Sequence, residues 1–201
     1  MPRPRSPGYG DQHKAILTAA AKLFAQRGYT ATTMQQVAAA CGVSKPTLYH
    51  YVRDKHDLLA QITGSHVSRL VELVDGVAAQ ALPPAECLRE LVSCFMSAYA
   101  QAQHEHRVLT EDVKFLRPPQ QRQVQAGQRR VVQAFADALT ALRPELQAQG
   151  LDKPLAMLLF GMMNWTFTWL RADGRLSHDS LAPVIFNLMM GGLPTVGPLS
   201  S

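Results

Sequence analysis

The chain has 201 residues, of which 47% are hydrophobic and 17% charged, so it can bury a core and is not typical of a disordered protein. Its three cysteines form no close pair, which argues against a disulfide scaffold or a zinc ribbon. Eight Lys or Arg and three Asp fall within residues 1–60, so that part carries the whole formal net charge of +5. A basic module followed by a neutral one predicts that the first part meets a polyanion.

The sequence predicts a cytoplasmic protein that does not cross a membrane. The longest apolar run, residues 155–170, is shorter than the ~20 residues that a membrane-spanning helix needs. Arg3 and Arg5 near the start are not followed by an apolar segment, so we expect no secretory signal.

Apolar residues recur at intervals of three and four along most of the chain, which predicts an all-α fold. The first helix is predicted over residues 11–27, and Gly28 ends it because glycine enters the left-handed region cheaply. Thr33 and Gln36 have the spacing of a capping box, which predicts the start of a second, short helix.

The next residues predict the turn and the second helix of a helix-turn-helix. Gly42 allows the sharp turn, and Ser44 is a good N-cap for the helix that follows. We expect Val43, Leu48 and Tyr51 to pack inward. The other side chains of this recognition helix then face outward, where they can reach base edges and phosphates in a major groove. These outward residues are Lys45, Thr47, Tyr49 and His50.

Flanking residues extend this candidate DNA surface. Arg53 and Lys55, at the start of a fourth helix that Asp54 caps and that runs to about residue 80, are predicted to clamp phosphates. The basic N-terminal arm is predicted either to enter a neighbouring minor groove or to be solvated. The predicted DNA-binding residues are Thr33, Ser44, Lys45, Thr47, Tyr49, His50, Lys55, Arg3 and Arg5.

Residues 16–59 resemble the TetR/AcrR family of repressors. In order they contain Ala-Ala-Lys-Leu-Phe-Ala-Gln-Arg-Gly-Tyr, Thr-Thr-Met-Gln-Gln-Val-Ala, Cys-Gly-Val-Ser-Lys-Pro-Thr-Leu-Tyr-His-Tyr-Val and Asp-Lys-His-Asp-Leu-Leu. The resemblance implies about nine helices: a three-helix DNA-binding helix-turn-helix domain over residues 1–53 and a helical ligand-binding and dimerisation domain over 54–201. Pro46 and Val52 depart from the family pattern, which prefers a small residue and an aromatic there, so a relative's operator does not transfer.

The remaining chain predicts further helices. Pro83 and Pro84 open one that reaches about residue 103, and a looser segment is expected from there to Arg117. Later helices are predicted over residues 120–142, 152–171 and 177–190.

Residues 155–170 are apolar around the whole circumference of the predicted helix, so they need cover on two sides. One side can face the same chain and the other a second copy, with the last helix alongside. We therefore expect a homodimer through residues 155–190. Such a dimer presents two recognition helices about one DNA turn apart and reads a palindrome in double-stranded DNA.

Aromatic residues of the second half are candidates for an apolar ligand pocket, although each is also a candidate core residue. Residues 161–171, Gly-Met-Met-Asn-Trp-Thr-Phe-Thr-Trp-Leu-Arg, resemble TetR regulators that sense acyl-CoA thioesters, which implies that Asn164 and Trp165 lie near a small-molecule effector. The candidate ligand-binding residues are Phe95, Tyr99, Phe115, Asn164, Trp165 and Trp169. The basic residues available for CoA phosphates are Arg107, Lys114, Arg117, Arg122, Arg129, Arg130 and Arg171.

The sequence gives only weak signals for a metal site or for an enzyme. His104 and His106 are two positions apart, and on a helix this spacing would point their rings to different sides, so a metal is not expected. No catalytic constellation or cofactor motif stands in a recognisable frame, so an enzyme is not expected. The sequence favours a repressor released by a small molecule. A repressor induced by a hydrophobic drug-like compound and a DNA-binding activator without a ligand remain alternatives.

Overall fold

A computed structural model describes residues 9–171 and 174–197 of the chain. The regular structure of these residues is helical, which confirms the all-α prediction. None of the helices in these ranges is long and apolar enough to cross a membrane. The α-helices are α1 (Tyr9–Arg27), α2 (Met34–Ala40), α3 (Lys45–Tyr49), α4 (Lys55–Ala78), α5 (Pro84–Gln101), α6 (Gln103–Asp112), α7 (Pro118–Leu142), α8 (Glu145–Ala148), α9 (Asp152–Asn164), α10 (Thr166–Trp169) and α11 (His178–Gly192), with 3-10 turns at Val113–Phe115 and Leu193–Thr195.

The chain groups into two compact units. Unit 1 comprises the residues up to Val67 together with His104–Val124, and unit 2 comprises Ser68–Gln103 and the residues from Gln125 onward. Helices α4 and α7 each contribute residues to both units. This division differs from the boundary at residues 53 and 54 that the sequence suggests, because the buried start of α4 and the α6 segment both belong to unit 1.

In unit 1, α1 packs against α2, and α2 against α3. The inner face of α1 consists of buried side chains that include Ile16, Ala20 and Phe24, as the three-and-four spacing predicts. Gly28 follows α1 with a φ of +85°, a conformation that glycine adopts without steric cost. Residue spacing within α1 and the glycine after it thus account for the first helix of unit 1 and for its end.

The prediction of a loose segment between residues 103 and 117 is wrong. This stretch forms α6 and the 3-10 turn that follows it. Val108 and Leu109 are buried, so tertiary contacts stabilise a helix that its polar composition does not suggest. A kink at Ala102, with φ of −134° and ψ of 44°, separates α6 from α5.

The predicted single helix over residues 152–171 is also wrong, because α9 ends at Asn164 and α10 is a separate short helix. Two threonine hydroxyls donate to nearby backbone carbonyls: Thr166 Oγ1 to Met163 O and Thr168 Oγ1 to Trp165 O, both at 2.7 Å. Such local bonds compete with the regular helical pattern, which accounts for an interruption at this point.

The core of unit 2 contains a group of aromatic rings and the packing of α5 against α11. Phe135 on α7 lies 5.0 Å from Phe95 on α5 and 4.7 Å from Phe160 on α9, measured between ring centres. All three side chains are buried. Ser177 is the N-cap of α11, and its hydroxyl accepts from the Ser180 backbone N–H at 3.1 Å.

Candidate nucleic-acid interface and effector site

The start of α2 has the predicted capping box. The backbone N–H of Thr33 donates to Gln36 Oε1 at 2.8 Å, and the Gln36 backbone N–H donates to Thr33 Oγ1 at 3.2 Å. Both residues of the pair thereby satisfy backbone donors that the first helical turn leaves without partners. Thr33 itself is exposed at this helix N-terminus.

The turn and the start of α3 also have the local geometry that the sequence predicts. Gly42 has a φ of +65°, and the Ser44 hydroxyl accepts from the Thr47 backbone N–H at 3.2 Å. Pro46 lies in the first turn of α3, where a missing N–H leaves no internal hydrogen bond unmade. These features confirm the predicted helix-turn-helix at the level of its backbone.

Two side chains anchor α3 and its end to the interior of unit 1. Leu48 is fully buried, and Val52, which stands where the family pattern prefers an aromatic, is buried as well. Tyr51 packs on the first helix as predicted, because its ring stacks on Tyr9, but it is only half-buried. Val43 is likewise half-buried.

With Leu48 inward, the predicted outer face of α3 points away from the interior. Lys45, Tyr49 and His50 are exposed, and 44% of the Tyr49 surface is accessible. Thr47 is half-buried, with its Oγ1 2.7 Å from the hydroxyl of exposed Ser44. Their contacts with DNA stay a prediction, and Arg3 and Arg5 lie outside the described residues.

Lys55 has a different role from the predicted phosphate clamp. Its Nζ donates to three backbone carbonyls in the loop between α1 and α2, at 2.9 Å to Tyr29, 3.1 Å to Thr30 and 2.9 Å to Thr32. An ammonium group has three protons, so these bonds use all of its donors. Lys55 therefore holds the loop against the start of α4, and sequence spacing gave no signal of this contact.

The N-cap of α4 is a charged junction. Asp54 Oδ1 accepts from the Asp57 backbone N–H at 2.7 Å, and Asp54 Oδ2 accepts from Arg117 at 2.8 Å. The Asp57 N–H, followed by the Arg117 guanidinium, holds the pKa of Asp54 below its ordinary value. Arg117 is thus paired with Asp54 within unit 1, and its contact with CoA phosphates stays a prediction.

Other predicted CoA-phosphate residues are also engaged. Arg107 forms an ion pair with Glu111 at 3.1 Å in unit 1, and Arg130 forms one with Asp75 at 2.7 Å in unit 2. Lys114 lies over the Phe115 ring. Exposed arginines of unit 2 that remain candidates are Arg129 and Arg171.

In unit 2 the structure brings together two of the predicted effector residues. The Tyr99 hydroxyl donates to Asn164 Oδ1 at 2.9 Å, joining α5 to the end of α9. Burial raises the pKa of Tyr99, so its hydroxyl stays protonated and can donate. Phe95 lies 6.0 Å from Tyr99 and 6.1 Å from Phe160, between ring centres. Phe160 was not among the predicted residues, although its position one turn before Asn164 places it on the same helix face.

Three other predicted effector residues are elsewhere. Phe115 stacks on Tyr29 in unit 1 at 5.2 Å between ring centres, because α6 and its 3-10 turn belong to that unit. Trp165 and Trp169 are 65% and 50% exposed, since the break after α9 turns this segment to the surface of the chain. Within the single chain they do not line a buried pocket.

The histidines near residue 105 do not converge. His106 is buried, with its Nδ1 3.4 Å from Nε2 of buried His66, whereas His104 is half-buried. Among the described residues no group of three or more His, Cys, Asp or Glu side chains could hold a metal ion. His66 carries no motif in the sequence that would have predicted this pairing.

An apolar surface lies on α9 and α11 opposite their buried faces. Leu155, Leu159, Ile185 and Met189 are buried in unit 2. We call the exposed counterpart the apolar face; its members are Met157, Leu158, Val184 and Leu188, of which Leu158 is 65% and Leu188 63% exposed. Large exposed apolar side chains on two helices are candidates for a surface of association.

Comparisons with known proteins agree with this architecture. Residues 16–62 match the family model described as "Bacterial regulatory proteins, tetR family", and residues 81–193, more than half of the chain, match "Tetracyclin repressor-like, C-terminal domain". A crystal structure of a TetR-family transcriptional regulator from Bordetella parapertussis 12822 superimposes with a TM-score of 0.88 at 34% identity, covering 96% of this chain and 100% of that one.

Two further relatives have named functions. The HTH-type transcriptional activator FasR of Mycolicibacterium smegmatis is 26% identical over 186 residues, which cover 90% of this chain and 82% of FasR. The structure of AibR in complex with isovaleryl coenzyme A and operator DNA has a TM-score of 0.75 at 26% identity, covering 88% of this chain and 97% of AibR.

Proposed function

This chain belongs to the TetR family of bacterial regulatory proteins, and we propose that it is a dimeric repressor that leaves its operator when a small molecule binds unit 2. The observation that carries this proposal is the outer face of α3. Lys45 and Tyr49 are exposed on α3 and His50 at its C-cap, and Leu48 anchors the inner side of this helix. A rigid helix with an exposed polar face is what readout in the major groove requires.

The α3 face reads bases, and the N-termini of two helices contact the DNA backbone. Tyr49 and His50 present polar atoms to base edges, while Lys45 contacts phosphate. Exposed Thr33 and Ser44 lie at the starts of α2 and α3, where backbone N–H groups favour an anion. One protomer makes this set of contacts with each half of the operator.

Two copies associate through the apolar face of α9 and α11. Exposed Leu158 and Leu188 support this assignment, because one chain alone leaves them in water. A symmetric dimer presents two α3 helices, about 34–36 Å apart for adjacent major-groove sites, and so reads a palindrome.

The effector we propose is an acyl-CoA thioester, bound with its acyl group beside Tyr99 and Asn164. Two observations support this class. AibR, a similar structure, is described in complex with isovaleryl coenzyme A. In this chain buried Tyr99 donates to half-buried Asn164, and the Phe95 ring lies next to both Tyr99 and Phe160, which matches an apolar site with few polar groups.

The effector acts by changing the separation of the two recognition helices. Helix α4 runs without interruption from Lys55 to Ala78 and contributes residues to both units, so it serves as the lever. The coupling between effector and operator is of the order of 1–3 kcal/mol, or about 5- to 150-fold in affinity.

The first experiment selects an operator from a random duplex library with the unaltered chain and follows its affinity by fluorescence anisotropy. Acyl-CoAs, CoA alone, the free acids and hydrophobic drugs are then tested for thermal stabilisation and for release of the operator. Acyl-CoAs alone should do both. If only uncharged drugs stabilise the chain, the effector is a hydrophobic compound and not an acyl-CoA. A ligand that stabilises the chain without changing its affinity for the operator overturns the release mechanism.

A variant that lacks only the Tyr99 hydroxyl tests the effector site in the same screen. Tyr99→Phe removes the donor to Asn164 but keeps the ring, and it should weaken acyl-CoA binding measured by calorimetry. Tyr51→Phe is the matched control, because it removes a hydroxyl from unit 1 and should leave effector affinity unchanged.

A DNA-binding activator is the second candidate, because FasR, a relative over 90% of this chain, is named an activator. Transcription from a promoter that carries the selected operator distinguishes the two. A repressor lowers transcript output when it is added, and an activator raises it.

A further inference from the structure

Helices α5 and α9 of unit 2 meet through two successive levels of side chains. At one level the Tyr99 hydroxyl donates to Asn164 Oδ1 at 2.9 Å, and we call these two residues the polar pair. Four residues earlier on each helix, the rings of Phe95 and Phe160 lie 6.1 Å apart between centres. Because residues four positions apart share one face of a helix, both levels lie on the facing sides of α5 and α9.

A third ring completes the level of the phenylalanines. Phe135 of α7 lies 5.0 Å from Phe95 and 4.7 Å from Phe160, separations at which aromatic rings are in contact. We call Phe95, Phe135 and Phe160 the ring triad. These residues are 0%, 0% and 6% exposed. Buried rings in contact therefore close the inner end of the region beside the polar pair.

The other end of this region approaches solvent. Exposure rises along α9 from 6% at Phe160 to half-buried Asn164, and it reaches 65% at Trp165, the next residue. A molecule that binds the polar pair therefore enters from the Asn164 side and has the ring triad ahead of it.

The chemistry of an acyl thioester determines its direction in such a site. The carbonyl is the polar group of the acyl portion, and burying it without a hydrogen bond is costly. The Tyr99 hydroxyl and the Asn164 side-chain amide can both donate to that oxygen, which assigns the carbonyl to the polar pair. The alkyl end then points to the ring triad. Four residues of helix rise by about 6 Å, the length of about four carbon–carbon bonds.

We infer that the ring triad limits the effector to a short acyl group, of about four or five carbons, and that Phe135 is a specificity-determining residue for its length. The inference rests on the proposed function, because it needs an acyl-CoA beside the polar pair. It narrows the effector class from acyl-CoA thioesters in general to short-chain ones. A longer chain has to push apart buried rings that are already in contact, which lowers its affinity.

A series of straight-chain acyl-CoAs tests this limit. Acetyl-, butyryl-, octanoyl- and dodecanoyl-CoA are titrated into the unaltered chain by calorimetry and into its complex with the selected operator by anisotropy. Butyryl-CoA should bind most tightly and release the operator at the lowest concentration. Octanoyl- and dodecanoyl-CoA should bind about ten-fold or more weakly. Equal or tighter binding of the two long-chain thioesters overturns the inference.

Variants of the ring triad test whether the rings set the limit. Phe135→Leu and Phe160→Leu each replace a ring by a smaller side chain, so each should raise the affinity for octanoyl-CoA relative to butyryl-CoA by about ten-fold. The measured quantity is a ratio of two affinities of one protein, so a general loss of stability does not move it. The second variant carries the test if thermal unfolding shows that the first is unfolded.

The matched control is Phe24→Leu. It shortens a buried phenylalanine of unit 1 and should keep the affinity ratio of the unaltered chain. An unchanged ratio in the folded ring-triad variants overturns the inference, because the rings are then core side chains only.

The same series separates the inference from the proposed function. If long-chain acyl-CoAs bind most tightly and release the operator, the proposed function stands and only the length limit is overturned. If no acyl-CoA binds the chain, the proposed effector class fails and the inference fails with it.

Discussion

The ammonium group of Lys55 lies 4.6 Å from the centre of the Tyr29 ring and donates to the carbonyl of the same residue at 2.9 Å. Tyr29 in turn stacks on Phe115, and its hydroxyl lies 3.1 Å from His56 Nδ1. Lys55 and Tyr29 therefore join the loop after α1, the start of α4 and the 3-10 turn after α6 within unit 1.

Replacing Lys55 should affect stability more than DNA contact. Lys55→Met leaves three loop carbonyls without their donor and should lower the free energy of unfolding by about 1–3 kcal/mol in urea titrations. The salt dependence of DNA binding should stay unchanged. Lys45→Met is the matched control. It should leave the free energy of unfolding unchanged and make the salt dependence of DNA binding shallower. A shallower slope for Lys55→Met as well would restore its role as a phosphate contact.

Tyr49 should determine specificity. Tyr49→Ala removes an exposed aromatic from the outer face of α3 and should cost about 1–3 kcal/mol of affinity for the selected operator, measured by anisotropy. Binding to random duplexes should change little. Lys45→Ala should instead weaken both to similar extents, because a phosphate contact is independent of sequence. If Tyr49→Ala lost the same affinity for the operator and for random duplexes, Tyr49 would contact the DNA backbone and not the bases.

A single charge on the apolar face should separate the protomers. Leu158→Glu places a carboxylate in a surface that the dimer removes from water, so sedimentation at micromolar concentration should show a monomer. Operator affinity should fall with it. Both tryptophans of the chain, Trp165 and Trp169, are exposed in the single chain, so their emission should shift to the red if the dimer covers them and the variant does not form it. Gln123→Glu, an exposed position on α7, adds the same charge elsewhere and should remain dimeric.

Asp112 should make stability depend on pH. Burial, together with the neighbouring charge of Glu111, raises the pKa of Asp112 to about 6. The folded chain therefore binds this proton more tightly than the unfolded chain, and the resulting stability falls as the pH rises from about 4 through 6. Asp112→Asn should flatten this part of the profile and stabilise the chain at pH 7, by an amount on the order of 2 kcal/mol, in thermal or urea unfolding.

The matched control for Asp112 is Glu111→Gln. Glu111 is exposed, so its replacement removes the smaller, electrostatic cause of the raised pKa and breaks the surface ion pair with Arg107, but leaves Asp112 buried. The pH profile should then move slightly and keep its shape. An unchanged profile for Asp112→Asn would show that Asp112 is ionised freely in the folded chain.

Much of the N-terminal module was predictable because its signals are local. The capping box of Thr33 and Gln36, the positive φ of Gly42 and the Ser44 N-cap each depend on residues within about four positions. The interruption after Asn164 was not predictable from apolar spacing, which stays helical there. Hydroxyl groups of Thr166 and Thr168 compete with the helix without disturbing that pattern.

The candidate effector site was predicted only in part. Tyr99 and Asn164, 65 positions apart, do meet. Phe115 and the tryptophans do not join them, because an aromatic residue satisfies the same sequence pattern in a core, in a stack such as that of Phe115 on Tyr29, or on an exposed surface.

Residue spacing over a few turns was enough to predict the all-α class and the backbone of the helix-turn-helix, and the resemblance of residues 16–59 indicated the family. The contacts of Lys55 with loop carbonyls, the stack of Tyr51 on Tyr9 and the exposure of Leu158 and Leu188 became visible only in the folded chain. A side chain's role depends on what lies within a few ångströms of it. Residues tens of positions away supply those neighbours, and spacing along the chain does not identify them.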